Sequence, residues 1–142
     1  MGRPEALELG RRLDDLLAEA EQLVRPVSEA AIAPLRDIAF RVFRLALAFV
    51  DGMDRGRVVG EWREERAPED LRDGASLARY GALVRARVGG WFEGAGPGEL
   101  DRIVDGPDGP RPAAARLQQV IADAVGQLAE LRRALARPGG AS

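Results

Sequence analysis

The chain has 142 residues, 46% of them apolar and 31% charged, with a net charge of −2 at pH 7. That is the balance of one globular domain able to bury its own core, not of a disordered or membrane-spanning chain. It contains no cysteine and no histidine, which removes disulfides, thiolate chemistry, and the commonest neutral-pH base and transition-metal ligand.

Pro4 is placed as the first residue of a helix, and Leu9, Leu13, Leu16, Leu17, Ala20, Leu23 and Val24 recur behind it at three- and four-residue intervals, so an amphipathic helix is predicted to end near Arg25-Pro26. Residues 28–33 read as a connector, and Pro34 as the start of a second helix with Leu35, Ile38, Val42, Leu45, Ala46 and Phe49 on one stripe, closed by Asp51-Gly52. From Gly52 to Asp73 the pattern lapses into Gly, Arg, Glu and Pro, with only the Val58-Val59 patch and an isolated Trp62. Connections of that length are uncommon unless they do something, such as covering a pocket.

Asp73 or Ser76 caps a third helix, in which Leu77, Tyr80, Val84, Val88 and Trp91 share a face and Gly89-Gly90 weakens the end. Residues 94–112 are rich in Gly, Pro and Asp, which is turn chemistry without the acidic spacing of a calcium loop. The last helix, from about Ala114 to Arg137, is the clearest, with Leu117, Val120, Ile121, Ala124, Val125, Leu128, Leu131 and Leu135 on its apolar face. Four helical stripes with no alternating strand pattern predict an all-α four-helix bundle with long connections, not a minimal up-and-down design. Residues 1–137 form a single domain, and 138–142 a disordered tail.

The N-terminal segment has no signal-peptide core, and the longest apolar run, Leu45 to Val50, is too short to span a bilayer. A cytoplasmic protein with no membrane partner is expected. All 21 basic residues are arginine, as biased codon usage produces, and no block of like charge forms a nucleic-acid footprint.

The line Leu35-Arg36-Asp37-Ile38-Ala39-Phe40-Arg41-Val42-Phe43-Arg44 resembles the second-helix motif of the DinB-like family, in which a histidine stands where Arg41 stands here. Glu69-Asp70-Leu71 to Tyr80 is similar to the start of the family's third helix, Asp101-Arg102-Ile103-Val104-Asp105 to its loop before the last helix, and Gln127-Leu128 to the end of its metal-binding helix. The order and spacing agree across about 100 residues. The resemblance implies a four-helix bundle, often dimeric, so a homodimer is an expectation. Many members bind a divalent metal through three histidines, and characterised ones include thiol-dependent transferases and isomerases. Here those positions are Arg41, Val120 and Ala124, so neither the metal nor its chemistry carries over, and no cofactor is expected. A permanent cation at Arg41 further disfavours a divalent ion.

Arg41 has two readings: a solvated arginine paired with Asp37 one turn earlier, or a guanidinium that binds an anionic group inside the old metal pocket. Tyr80 and Trp91 lie at helical spacing, where aromatic side chains are more often core than pocket. Trp62 packs as a lid over the bundle mouth or against the outside of a helix. Gln119, Asp123 and Gln127 flank the apolar face of the last helix, and Asp123 reaches Arg41 if the two helices adjoin. The catalytic candidates are therefore Arg41, Tyr80 and Asp123. Asp37, Arg44, Trp62, Trp91, Val120, Ala124 and Gln127 are the candidate ligand-binding set, and no residue is assigned to a metal. The function expected is a metal-free protein whose inter-helix pocket binds an organic small molecule, as an isomerase, cyclase or lyase of specialised metabolism. The alternative is a non-catalytic binding or interaction protein with the pocket packed shut.

Overall fold

A computed structural model describes residues 2–58, 61–96 and 98–137; Val59 and the expected tail at 138–142 lie outside them. Four helices carry the fold: α1 (Arg3–Val24), α2 (Glu29–Arg55), α3 (Gly74–Gly94) and α4 (Ala113–Ala136). Among the described residues no helix is long and apolar enough to cross a membrane.

Helix α2 begins earlier than the periodicity suggests, and the connector expected at residues 28–33 is its first turn. Ser28 is the N-cap, its hydroxyl accepting the Ala31 N–H at 3.3 Å. Pro34 lies inside the helix and lacks the N–H that would reach the Ala30 carbonyl. That gap falls on the outer face, where Ala30, Ala33 and Pro34 are exposed and the carbonyl is on the solvent side, while Ala31, Ile32 and Leu35 are buried. Asp51-Gly52 does not close α2, which continues to Arg55 and is capped by Gly56 at φ 77°. Gly52 serves a close approach instead: a Cβ there would lie 2.8 Å from the Arg57 carbonyl oxygen of the returning chain.

Asp73 and Ser76 both act at the start of α3. The Asp73 carboxylate accepts the Ser76 N–H at 2.9 Å, and the Ser76 hydroxyl accepts the Asp73 N–H at 3.1 Å. Gly89-Gly90 does not end this helix. Between α3 and α4 stands a small hairpin the sequence did not suggest, being too short to show alternation: β1 (Ile103–Val104) pairs antiparallel with β2 (Arg111–Pro112).

The residues that touch give the helix directions. Phe92, late in α3, packs where a Cβ on Gly10 of α1 would stand, and Gly74, first in α3, meets Val24 at the end of α1, so α1 and α3 are antiparallel. Phe40 stacks on Tyr80 and Phe49 meets Trp91 edge-on, so α2 and α3 run the same way. Glu19 pairs with Arg132 while Arg12 lies beside Gln118, so α1 and α4 also run together. The order is up-down-down-up, with α1 packed on α3 and α4, and α2 on the same two.

Phe43, Phe49, Leu17, Leu77, Leu117 and Leu128 are fully buried at the centre. A glycine is required where α2 and α3 come closest, because a Cβ on Gly81 would stand 2.6 Å from the Phe43 ring.

Because α2 and α3 point the same way, the chain between them must travel back along the bundle. Residues 56–58 and 61–73 do this on the outside of α2, where their numbers rise as those of the helix fall. Arg57 donates its N–H to the Gly52 carbonyl at 2.9 Å, Ala67 donates to the Asp37 carboxylate at 2.9 Å, and Gly74 donates to the Val27 carbonyl at 2.8 Å.

Candidate functional site

A cavity of about 300 Å³ opens where this returning strap passes α4. Val58, Trp62, Pro107 and Val120 give it apolar walls, and Arg63, Asp108, Arg116, Gln119 and Asp123 supply its polar groups. Three elements build it. Helix α4 contributes Arg116, Gln119, Val120 and Asp123 at the spacing of one helical face. The strap contributes Trp62 and Arg63 from a single 3₁₀ turn, and the hairpin loop contributes Pro107 and Asp108.

Trp62 is the pivot, buried to 6% exposure and lining both this cavity and a smaller space of about 50 Å³ beside Arg44, Asp51 and Glu65. The Arg63 guanidinium lies over its indole, 4.8 Å from the ring centre, and reaches Asp123 at 3.2 Å. The Asp123 carboxylate also accepts the Gln119 side-chain amide at 3.0 Å, which fixes its orientation on the helix.

Arg116 behaves as a strut. Its side chain is 8% exposed and donates to the Asp108 carboxylate at 2.9 Å, to the Val104 carbonyl at 3.3 Å and to the Gly109 carbonyl. A buried guanidinium must be saturated in this way. In return Arg116 holds the Asp108 carboxyl below its ordinary value of 3.8 and pins the hairpin loop as the cavity's outer wall.

The residues expected to form one site divide into three groups. Trp62, Val120 and Asp123 line the cavity. Asp37, Arg41 and Arg44 do not; they anchor the strap. Arg41 donates to the Glu65 backbone carbonyl at 3.0 Å, and Arg44 pairs with the Glu65 carboxylate at 2.6 Å. The interior orientation considered for Arg41 is thus corrected, as is its expected pairing with Asp37 or Asp123: Asp37 is taken by Ala67, and Asp123 by Arg63 and Gln119. The strap supplies two backbone groups and one carboxylate that need partners, and α2 offers these side chains at i, i+4 and i+7 toward it.

Tyr80, Trp91, Ala124 and Gln127 belong to the packing. Tyr80 stacks on Phe40 at 5.3 Å and meets Phe43 edge-on; burial chiefly, with smaller opposing effects of Arg44 and of Glu65 and Asp51, raises its phenol above 10.0. Trp91 makes edge contacts with Phe49 and Phe92. Ala124 is fully buried. Gln127 is half-buried, and its Oε1 has no hydrogen-bond donor among the described residues. Among the described residues no three carboxylates converge as metal ligands would.

Sequence reasoning missed Arg63, Asp108 and Arg116. Arg116 carried a signal, since it stands one turn before Val120 and beside Leu117, where the apolar face of α4 begins. Arg63 carried none, because its partners Trp62 and Asp123 are recognisable only once the strap is laid on the helix. Comparison with known proteins found no family model that matches the chain, and no curated protein or solved structure that matches it.

Proposed function

We propose that this chain is a metal-independent bundle of the DinB-like kind that binds an organic small molecule in the cavity between α4 and the α2–α3 strap, without catalysing a reaction on it. The resemblance rests on the ordered motifs from Leu35 to Leu128, and the four-helix architecture is compatible with it. The single observation carrying the binding reading is the cavity itself: about 300 Å³, with an indole wall on one side and a fixed carboxylate and amide on the other. Small-molecule sites have this composition, largely apolar with a few placed polar groups.

Binding is favoured over catalysis because the three residues expected to perform chemistry are separately employed. Arg41 is bonded to backbone, Tyr80 is packed between phenylalanines with its proton held more firmly than usual, and only Asp123 reaches the cavity. Ala124, on the inner face of α4, is fully buried, and the cavity is a lateral site beside α4. The reading is tested by a fragment screen followed through the two indole N–H signals in a ¹H–¹⁵N spectrum, with Trp62 assigned from Trp62→Phe. Saturable movement of the Trp62 signal, abolished when the exposed rim residue Gln119 is changed to Trp, is the expected result. A screen in which no fragment moves Trp62 overturns the reading.

A further inference from the structure

We infer that the cavity is a site for an organic cation of the guanidinium, amidinium or ammonium type, and that the Arg63 side chain holds that cation's place. This rests on the small-molecule reading above and adds the charge of the ligand.

The charges of the cavity wall divide into two pairs. Arg116 and Asp108 are bonded to each other, and two further Arg116 nitrogens donate to the Val104 and Gly109 carbonyls, so this pair is committed to holding the loop. The second pair is Arg63 and Asp123, and its members are unequally held. Asp123 projects from the middle of α4, is 21% exposed, and is oriented by Gln119. Arg63 comes from a three-residue turn, is 54% exposed, and among the described residues makes one ion pair, at 3.2 Å. An ion pair so exposed is weak.

An entering ligand therefore displaces Arg63 and leaves Asp123 in place. What Arg63 uncovers is a carboxylate and the face of the Trp62 indole, and both attract cations. The two already cooperate on a planar cation, since the Arg63 guanidinium lies over the ring while it reaches the carboxylate. An anion would have to take Arg63 from its partner and then remain beside an uncompensated Asp123. The apolar walls at Val58, Pro107 and Val120 suit a ligand with a ring or chain attached to the charged head.

The experiment uses three probes of one shape and different charge, benzamidinium, benzamide and benzoate, titrated against the full chain while the Trp62 indole signal is followed. Benzamidinium is expected to bind best of the three. Arg63→Ala removes the internal competitor from an exposed position and should tighten benzamidinium about tenfold, with benzoate unchanged or weaker. Asp123→Asn keeps the side-chain shape and should weaken benzamidinium about tenfold, with circular dichroism and melting temperature verifying the fold. If benzoate or benzamide binds Arg63→Ala as tightly as benzamidinium does, the charge assignment is overturned while the small-molecule reading survives. If none of the three moves Trp62 in either wild type or Arg63→Ala, the cation site is rejected, and the failed fragment screen would reject the broader reading separately.

Discussion

Arg41 donates its Nε–H to the backbone carbonyl of Glu65 at 3.0 Å, across the gap between α2 and the strap that returns beside it. With Asp37 receiving the Ala67 N–H, this makes α2 a rail along which an irregular segment is fastened. Each fastening replaces a water contact with an internal bond, so removing one should cost about 0.5–1.5 kcal/mol. Arg41→Ala and Asp37→Ala are expected to lower stability by this amount in denaturant unfolding. Both should speed amide hydrogen exchange at residues 65–67 more than in the helices. Ligand affinity at Trp62 should hardly change for Arg41→Ala; a selective loss of affinity with unchanged exchange would return Arg41 to the binding site.

Leu128 on α4 is fully buried. Leu128→Ala should cost about 2–5 kcal/mol, which is a large part of a stability of roughly 5–15 kcal/mol. Leu128→Asp adds an unpaired buried carboxylate and should prevent folding altogether. Thermal unfolding by circular dichroism measures both, and an unchanged melting temperature for either would remove Leu128 from the core.

Two carboxylates hold their protons less readily than usual and so contribute to the change of stability in acid. Asp73 is held below 3.8 chiefly by the Ser76 N–H, and Asp108 chiefly by Arg116. A depressed folded-state value means that the unfolded chain binds the proton more readily. The contribution of each group is therefore complete above 3.8 and is lost as pH falls below it through the folded values. Melting temperature should be insensitive to these two groups near neutrality and fall below about pH 4. Asp73→Asn should flatten that fall; an equally steep decline in the variant would deny Asp73 a part in it.

The positions that resemble metal ligands are a cation bonded to the strap, Arg41, and two buried apolar residues, Val120 and Ala124. None of them offers a lone pair to a divalent ion. Protein purified without chelator should hold no stoichiometric zinc, nickel or iron, and added chelator should leave the melting temperature unmoved. A tightly bound equivalent found by elemental analysis would require ligands from elsewhere in the chain.

The helices were legible because each buries one stripe and so repeats apolar residues at a fixed interval. Helix α4 shows this best, read to within a residue or so of its observed ends. The start of α2 was misread because Pro34 is a strong local stop signal, and its cost disappears when the missing bond faces water. That depends on which side of the helix faces out, a tertiary property. Asp37, Arg41 and Arg44 stand in the sequence as candidate site residues on α2, but the partners they meet are strap backbone for Asp37 and Arg41 and the Glu65 carboxylate for Arg44, which leave no trace in the pattern of the helix. Trp62 was flagged because an isolated tryptophan must pack somewhere. Arg63 beside it was invisible, because its meaning comes from Asp123, sixty positions away.

The up-down-down-up order also bears on how the molecule acquires its shape. Helix α1 packs mainly on α3 and α4 and touches α2 little. Helices α1 and α2, adjacent in the chain, therefore do not form the compact hairpin with which a simple bundle begins. The apolar stripe of α1, with Leu13 and Leu17 fully buried in the finished fold, has no main partner until the chain has extended through Gly74 and beyond. Contacts that join residues so distant close large loops before they give anything back, which slows the search. The protein should refold more slowly than an up-and-down bundle of its length, and α2 with α3, joined by the strap, is the pair able to associate first.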